Sequence, residues 1–388
     1  MSEYEEVKPI TEEEVAEVNT IVSDGFNYDA LEIPHWLFER AILLNSMQLL
    51  AIAVKEGSDQ VSSLVELKPI AGTPAVELTA NTGDILVRSV VPILNEAHIL
   101  EGCYHVDFKV LFGLVKNGGN KLALKAVNDA PVVMTLGGEA ELDQFTVADE
   151  VFTQPVLDTQ GGFSGSYESV DFLNVLSRVS ASMALAQTVE SKKVKIDVEG
   201  TAYCNFISSL FRAVGSPVKG ISLRAIDVQI LQKLLTPNPT FLFKELEEGY
   251  LFKTERECVV LRKWKAENAE GIQDYFIQAE NWFNLDPNYT SKIVGLMKDR
   301  LGSMGVMRMK TEDTKLIFTA KTRNSKQLQF PVTNILPPGI EFNILCPVQV
   351  VSAMLSLFKD EAVMKVSVKE NKVQFSTDKI EVVFGSCM

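Results

Sequence analysis

Four aspartates invite a chemical reading first. Asp107, Asp171, Asp227 and Asp286 resemble a carboxylate set, but each stands immediately before an apolar stripe of helical period. A side-chain oxygen there accepts a hydrogen bond from a free backbone N–H of the first turn, so capping accounts for all four without catalysis. The other reactive residue types are no better arranged. Cys103, Cys204, Cys258, Cys346 and Cys387 are scattered singly with no CxxC, and the only histidines are His35, His98 and His105. That spacing does not predict a structural zinc site, and free thiols in a reducing compartment are the simplest reading. The Gly- and Ser-rich stretch 155–167 lacks the GxxxxGK[ST] and GxGxxG spacings that cradle phosphate, and Ser164 lacks a GxSxG elbow. The expectation is a protein that is not an enzyme and needs no metal or cofactor.

The elements around these aspartates repeat. In Gly102 to Gly119 a short strand ends at Val106-Asp107-Phe108, and Phe108, Leu111, Phe112 and Val115 then form one apolar stripe. Val170-Asp171-Phe172, Ile226-Asp227-Val228 and Leu285-Asp286-Pro287 open similar stripes, the last with proline at the first helical position. Ile33-Pro34 and Cys346-Pro347 add two proline-led starts. The six starts, Pro34, Asp107, Asp171, Asp227, Asp286 and Pro347, are separated by 73, 64, 56, 59 and 61 residues, a loose internal period. Between the helices lie alternating runs joined by turn residues, such as the two runs around Asn81-Thr82-Gly83.

A chain of 388 residues with 46% apolar and 23% charged residues suits several domains with real cores. The longest apolar run, Ala41 to Val54, is too short and too polar for a bilayer, so no membrane association is expected. The acidic N-terminus lacks an apolar h-region, which predicts a cytoplasmic location. Net charge is −14, and ten acids against Lys8 put −9 of it in residues 1–32. Such a chain would not wrap nucleic acid with its whole surface, but one face could carry sorted cations.

The organisation read from this pattern is an acidic extension over 1–32, a first domain over 33–154, a linker over 155–168, a second domain over 169–265 and a third over 266–388. Each domain has two helices, and each helix lies on a small antiparallel sheet, an α+β pattern.

In that order the segments resemble the bacterial beta sliding clamp family, over roughly residues 33–388. TANTGDILVRSVVPI (79–93) resembles the family's first-domain hairpin, and SVDFLNVLSRVSASMA (169–184) the helix that opens its second domain. AEGIQDY (269–275) is similar to the Glu-Gly-x-Phe-Pro-Asp-Tyr connector, with Gln273 in place of proline. TKLIFTA (314–320) and IEVVFGSCM (380–388) stand where the third domain has matching strands. CNFISSLFRAV (204–214) lacks the family's Thr-Asp-Gly-His-Arg, and the C-terminus lacks Met-Pro-Met-Arg. A divergent clamp, as from a phage or other mobile element, fits these departures.

The resemblance implies the DNA clamp (processivity) fold: three similar domains, each with two helices packed on antiparallel sheets, in a head-to-tail homodimeric ring around double-stranded DNA. It also implies that short peptide motifs of a DNA polymerase and a clamp loader bind the protein. Cations opposite the apolar stripes are the DNA-binding candidates: Arg40, Lys109, Lys116, Arg178, Lys233, Lys292, Lys298 and Lys359. Carried over position by position, the peptide pocket would use Ile207, Ser209, Leu210, Phe211, Gln273, Ile277, Val382, Val383, Phe384 and Ser386. Leu210-Phe211 replaces a His-Arg pair, which implies altered peptide specificity. The dimer interface would use Val132, Val133, Met134, Thr135 and Leu136 with Ile293 and Leu296. The alternative is a non-ring structural or interaction protein, a virion or scaffold component built from the same repeats.

Overall fold

The computed structural model describes residues 32–56, 61–135, 138–147, 152, 162–183, 193–206, 209–264, 275–278, 282–302, 305–321, 327–332, 336, 340–341, 343–370 and 372–385. Its first third contains β1 (His35–Glu39), α1 (Arg40–Glu56), β2 (Leu64–Pro69), β3 (Ala75–Asn81), β4 (Ile85–Pro92), β5 (Tyr104–Asp107), α2 (Phe108–Asn117), β6 (Lys121–Val127), β7 (Ala130–Thr135) and β8 (Gly138–Glu141). There follow β9 (Gly165–Glu168), α3 (Ser169–Met183), β10 (Lys193–Ile196), β11 (Ala202–Phe206), β12 (Ser209–Ala213), β13 (Ile221–Arg224), α4 (Ala225–Leu235), β14 (Thr240–Glu245), β15 (Gly249–Lys253) and β16 (Glu257–Arg262). The last third contains β17 (Phe283–Leu285), α5 (Pro287–Leu301), β18 (Val306–Glu312), β19 (Lys315–Lys321), β20 (Gln327–Pro331), β21 (Asn343–Pro347), α6 (Val348–Ser356), β22 (Met364–Lys369), β23 (Lys372–Ser376) and β24 (Ile380–Gly385).

This order is one module, strand–helix–three-strand meander, run through six times. Successive modules exchange their leading strands. β1 pairs with β6 of the second module, and β5 pairs back with β2 of the first. β13 likewise returns to β10, β17 pairs with β22 and β21 with β18. The single module matches the internal period expected from the helix starts, and the strand exchange couples the modules in twos.

Contacts divide the chain into two compact units, residues 1–166 with 241–262, and residues 167–240 with 263–388. The first holds a four-stranded sheet, β1-β6-β7-β8, and an eight-stranded one, β5-β2-β3-β4-β16-β15-β14-β9. The second holds the eight-stranded β13-β10-β11-β12-β24-β23-β22-β17 and the four-stranded β20-β19-β18-β21. The division follows the sheets and not the module pairs. Each eight-stranded sheet forms where the last strands of two meanders join, β4 with β16 and β12 with β24, and backbone hydrogen bonds there hold the two halves together.

Helices cover one face of the sheets. In the first unit α1 packs on β3 and β4 and against α2, and its Leu43, Met47, Leu50 and Ala53 are buried. In the second, α3 packs on β11 and β12 and against α4, and α5 packs against α6. Strand alternation supplies the other half of each core, as in β18, where Met307 and Met309 are buried and Val306 and Arg308 exposed.

The helix starts confirm part of the capping expectation and correct the rest. Asp107 accepts from the Val110 N–H at 3.0 Å. Asp286 accepts from the Asn288 and Tyr289 N–H groups at 2.8 and 3.0 Å, with Pro287 at the first helical position. Pro347 is the N-cap of α6. Asp171 is not a cap, because α3 begins two residues earlier at Ser169 and places the carboxylate in its first turn. Asp227 is likewise inside α4, where it reaches back to accept from the Arg224 backbone N–H at 2.7 Å. Pro34 starts no helix: Trp36 and Phe38 are buried in β1, whose pairing with β6 overrides the local helical period. Replacing Asp286 with alanine is expected to lower stability by about 1 kcal/mol, read as a lower urea midpoint at unchanged slope.

Candidate functional site

The junction of β12 with β24 is a two-faced surface. Leu210 lies opposite Val383, Phe211 opposite Val382 and Arg212 opposite Glu381. Alternation sends Ser209, Phe211, Val382 and Phe384 to the helix-covered side, where all four are buried and Phe384 packs at 5.7 Å on the Phe375 ring. Tyr203, Leu210, Arg212, Gln374, Glu381 and Val383 share the other side, as the β11–β12 and β23–β24 registers require.

The segment Tyr275–Gln278 crosses that outer side. Phe276 and Ile277 form an apolar cluster with Tyr203, Leu210 and Val383. Polar groups hold the segment in place. The Ile277 N–H donates to Gln374 Oε1 at 2.6 Å, and the Arg212 guanidinium lies 4.1 Å above the Phe276 ring. Arg212 is itself ion-paired to Glu381, which accepts a hydrogen bond from the Ser376 hydroxyl at 3.0 Å. Lys372 stands 5.0 Å from the Tyr275 ring, and that tyrosine is 60% exposed. The result is a buried apolar cluster, filled by Phe276 and Ile277, with a charged, hydrogen-bonded rim.

Three of the ten pocket candidates, Leu210, Ile277 and Val383, thus come together on the outer face. Ser209, Phe211, Val382 and Phe384 belong to the core face, because one residue's shift along a strand reverses the side. Ile207, Gln273 and Ser386 lie outside the described residues. Tyr203, Arg212, Phe276 and Gln374, absent from the sequence candidates, stand beside them there. Alternation from Leu210 would have found Arg212, whereas Tyr203 and Gln374 needed the strand registers.

Exposed helix positions carry more cations than anions. At exposed positions of the six helices, among the described residues, stand Lys55, Lys109, Lys116, Lys292, Lys298 and Arg300 against Asp171 and Asp299. This excess of cations occurs in a chain of net charge −14. The remaining exposed helix positions are neutral, including Asn45, Asn174, Ser177, Gln229 and Gln349. Arg178 and Lys233 are half-buried, and Lys359 is exposed in the turn that follows α6. Arg40 is committed elsewhere. Its Nε and Nη2 donate to the Val115 and Lys116 carbonyls at 2.9 and 2.6 Å, which fastens the end of α2 to the start of α1.

Of the interface candidates, Val132 to Thr135 form β7, which is paired on both flanks by β6 and β8. The sheet edge is β8. Ile293 is buried in α5 and Leu296 is 51% exposed; Leu136 lies outside the described residues. Burial pushes the Cys204 and Cys258 thiols up to about 11, so both are protonated and poor nucleophiles near neutral pH. No helix among the described residues is long and apolar enough to cross a membrane.

No protein-family model and no curated protein matches the chain. Solved structures do. A DNA polymerase sliding clamp from Pseudomonas aeruginosa superposes with a TM-score of 0.77 at 14% identity, covering 91% of this chain and 99% of that one. This chain has the sliding-clamp fold. The Caulobacter crescentus sliding clamp matches with a TM-score of 0.75 at 12% identity over 92% of this chain and 100% of its own. The Helicobacter pylori beta clamp bound to a DNA ligase peptide matches with a TM-score of 0.74 at 14% identity over 91% and 100%. At such low identity the backbone fold is shared while most side chains are not. The departures at Gln273 and Leu210-Phe211 agree with that divergence.

Proposed function

We propose that this chain is a DNA sliding clamp subunit. Two copies close head to tail around duplex DNA and tether a replicative polymerase and other partners through apolar peptides. The observation that carries this reading is a pair of unmatched sheet edges. In each eight-stranded sheet, the last strand of an odd-numbered module joins the last strand of an even-numbered one, β4 to β16 and β12 to β24. The two four-stranded sheets end in one strand of each kind, β20 of the fifth module and β8 of the second. By the same rule β20 of one copy pairs with β8 of another. Two such junctions complete six module pairs and leave no edge of this kind exposed. Charge supports the match: β8 exposes Glu139 and Glu141, while Lys321 on β19 stands exposed opposite Gln327 of β20.

The neutral helix faces with sparse lysines suit a contact that reads no sequence. Each phosphate neutralised adds salt-dependent affinity, and a few such contacts hold DNA without fixing the register. Exchanging Lys109, Lys116 and Lys292 together for alanine is expected to reduce the slope of log affinity against log salt by about 3, at roughly 0.9 per lost phosphate contact. Filter binding across a salt series measures it. The decisive test of the function is retention on nicked circular DNA with release on linearisation. Equal retention on both forms would favour a scaffold protein.

The outer face of the β12–β24 junction is the partner site in this reading, with Leu210 and Val383 as its floor and Arg212 at its rim. Ile277 and Phe276 already occupy that floor, so an entering peptide must displace or extend them. A changed peptide specificity follows, and weak binding of standard clamp-binding peptides is its expected signature.

A further inference from the structure

The outer face of β2 and β5 brings together three side chains of metal-ligand type, Glu66, Cys103 and His105, whose donor atoms lie within 4.8 Å of one another. Glu66 and His105 are direct cross-strand partners, and Cys103, two residues before His105, falls on the same side. Glu66 Oε2 is 3.3 Å from His105 Nε2 and 3.5 Å from Cys103 Sγ. We propose that these residues form a divalent-metal site selective for zinc, with a fourth position open to water.

Three observations carry the proposal. The first is size. A tetrahedral zinc with ordinary bond lengths has an N–O edge of about 3.3 Å and an S–O edge of about 3.5 Å, so two of the three donor spacings already match one ion and the third lies within 4.8 Å. The second is donor chemistry. A thiolate, an imidazole and a carboxylate together are a borderline-soft set, which suits zinc and disfavours calcium or magnesium. The third is the support around the donors. His105 is buried and stacked at 5.0 Å and 22° on Phe152, which fixes its ring plane. Thr79, the cross-strand partner of Glu66 on its other flank, is fully buried with a hydroxyl that has no hydrogen-bond partner. A hydroxyl there can bond the carboxylate oxygen that does not bind the metal or a metal-bound water, the usual outer support of such sites.

The ion would clip β5 to β2. β5 is the edge strand of its sheet and leads directly into the Asp107 cap of α2. Loading releases the Cys103 proton and leaves His105 neutral at the nitrogen that binds, so binding weakens as pH falls. Without metal the same residues make an ordinary hydrogen-bonded group, with the thiol and the imidazole N–H both donating to Glu66.

The test uses the full chain stripped of metal, with zinc titrated in and the alkylation rate of each cysteine followed by peptide mass spectrometry. One equivalent of zinc is expected to slow Cys103 alkylation by about tenfold or more, since a bound thiolate is not free to attack. The buried Cys204 and Cys346 serve as internal controls. Calorimetry should give one site, lost in Cys103→Ser and in His105→Gln. Cys103 is exposed, so its serine variant keeps the fold and circular dichroism checks this. Unchanged Cys103 alkylation under excess zinc, or a stoichiometry unaffected by Cys103→Ser, would overturn the site. Clamp activity plays no part in either readout.

Discussion

Replacing both Gln327 and Gln329 with glutamate is expected to dissociate the proposed dimer and abolish its proposed retention on circular DNA. Both side chains are exposed on the outer face of β20, where Gln329 lies opposite Thr319 and Gln327 opposite Lys321. In the proposed junction they face Glu139 and Glu141 of the neighbouring β8. Like charges directly opposed across paired strands are destabilising, and such juxtapositions in an interface cost several kcal/mol. At about 3 kcal/mol at each of the two junctions, the dimer constant weakens by roughly ten-thousandfold, which sedimentation equilibrium resolves. The compensating exchange Glu139→Lys with Glu141→Lys should restore both dimer and DNA retention. A dimer indifferent to the first pair of changes would mean that β20 and β8 do not meet. Neither edge contributes apolar burial at these positions, but Glu139 is ion-paired to Lys125 at 2.6 Å, so circular dichroism of the Glu139→Lys, Glu141→Lys chain checks its fold.

The largest effect on stability is expected at the start of α4. Asp227 is a carboxylate with 1% of its side chain exposed, held by the Arg224 guanidinium at 2.9 Å and the Arg224 backbone N–H at 2.7 Å. Arg224 in turn lies 4.6 Å from the Trp264 ring. Arg224→Met removes the counter-charge and leaves the carboxylate in the core, a change that costs about 3 kcal/mol, the lower end of the usual range because Arg224 is partly solvated. Removing the charge as well, in Arg224→Met with Asp227→Leu, should recover much of that loss, since well-packed apolar residues commonly replace a buried pair at little cost. Urea unfolding of the two single variants and the double gives the coupling directly. Full additivity would show that the pair is no unit.

Much of this architecture was legible before any coordinates. The apolar stripe from Phe108 to Val115 with its Asp107 cap, the Asp286-Pro287 start and the hairpin around Gly83 are local. Their periodicity and turn chemistry depend on residues within one or two turns, and the structure repeats them. Tertiary pairing overruled the local signal at Trp36, where β6 recruits a helix-like stretch into a strand. It also decided the faces at the β12–β24 junction. The run from Ser209 to Phe211 is apolar enough to read either way, and only the register with β24 and β11 turns Leu210 outward and Phe211 inward. Phe276 was overlooked beside Ile277 for the same reason, since nothing local says what a short connector lies upon.

Composition and period by themselves determined that this chain is an α+β repeat of helix-on-sheet modules with a balanced apolar content and an acidic N-terminal stretch. Those properties arise from contacts between near neighbours and from bulk burial, which a linear reading samples directly. Only the tertiary structure decided that successive modules trade their leading strands, that two sheet edges are left unmatched, and that Glu66 meets Cys103 and His105. Each of those is a pairing across tens of residues, where the closure of a long loop leaves no periodic trace in the sequence and only the hydrogen-bonded register selects the partner.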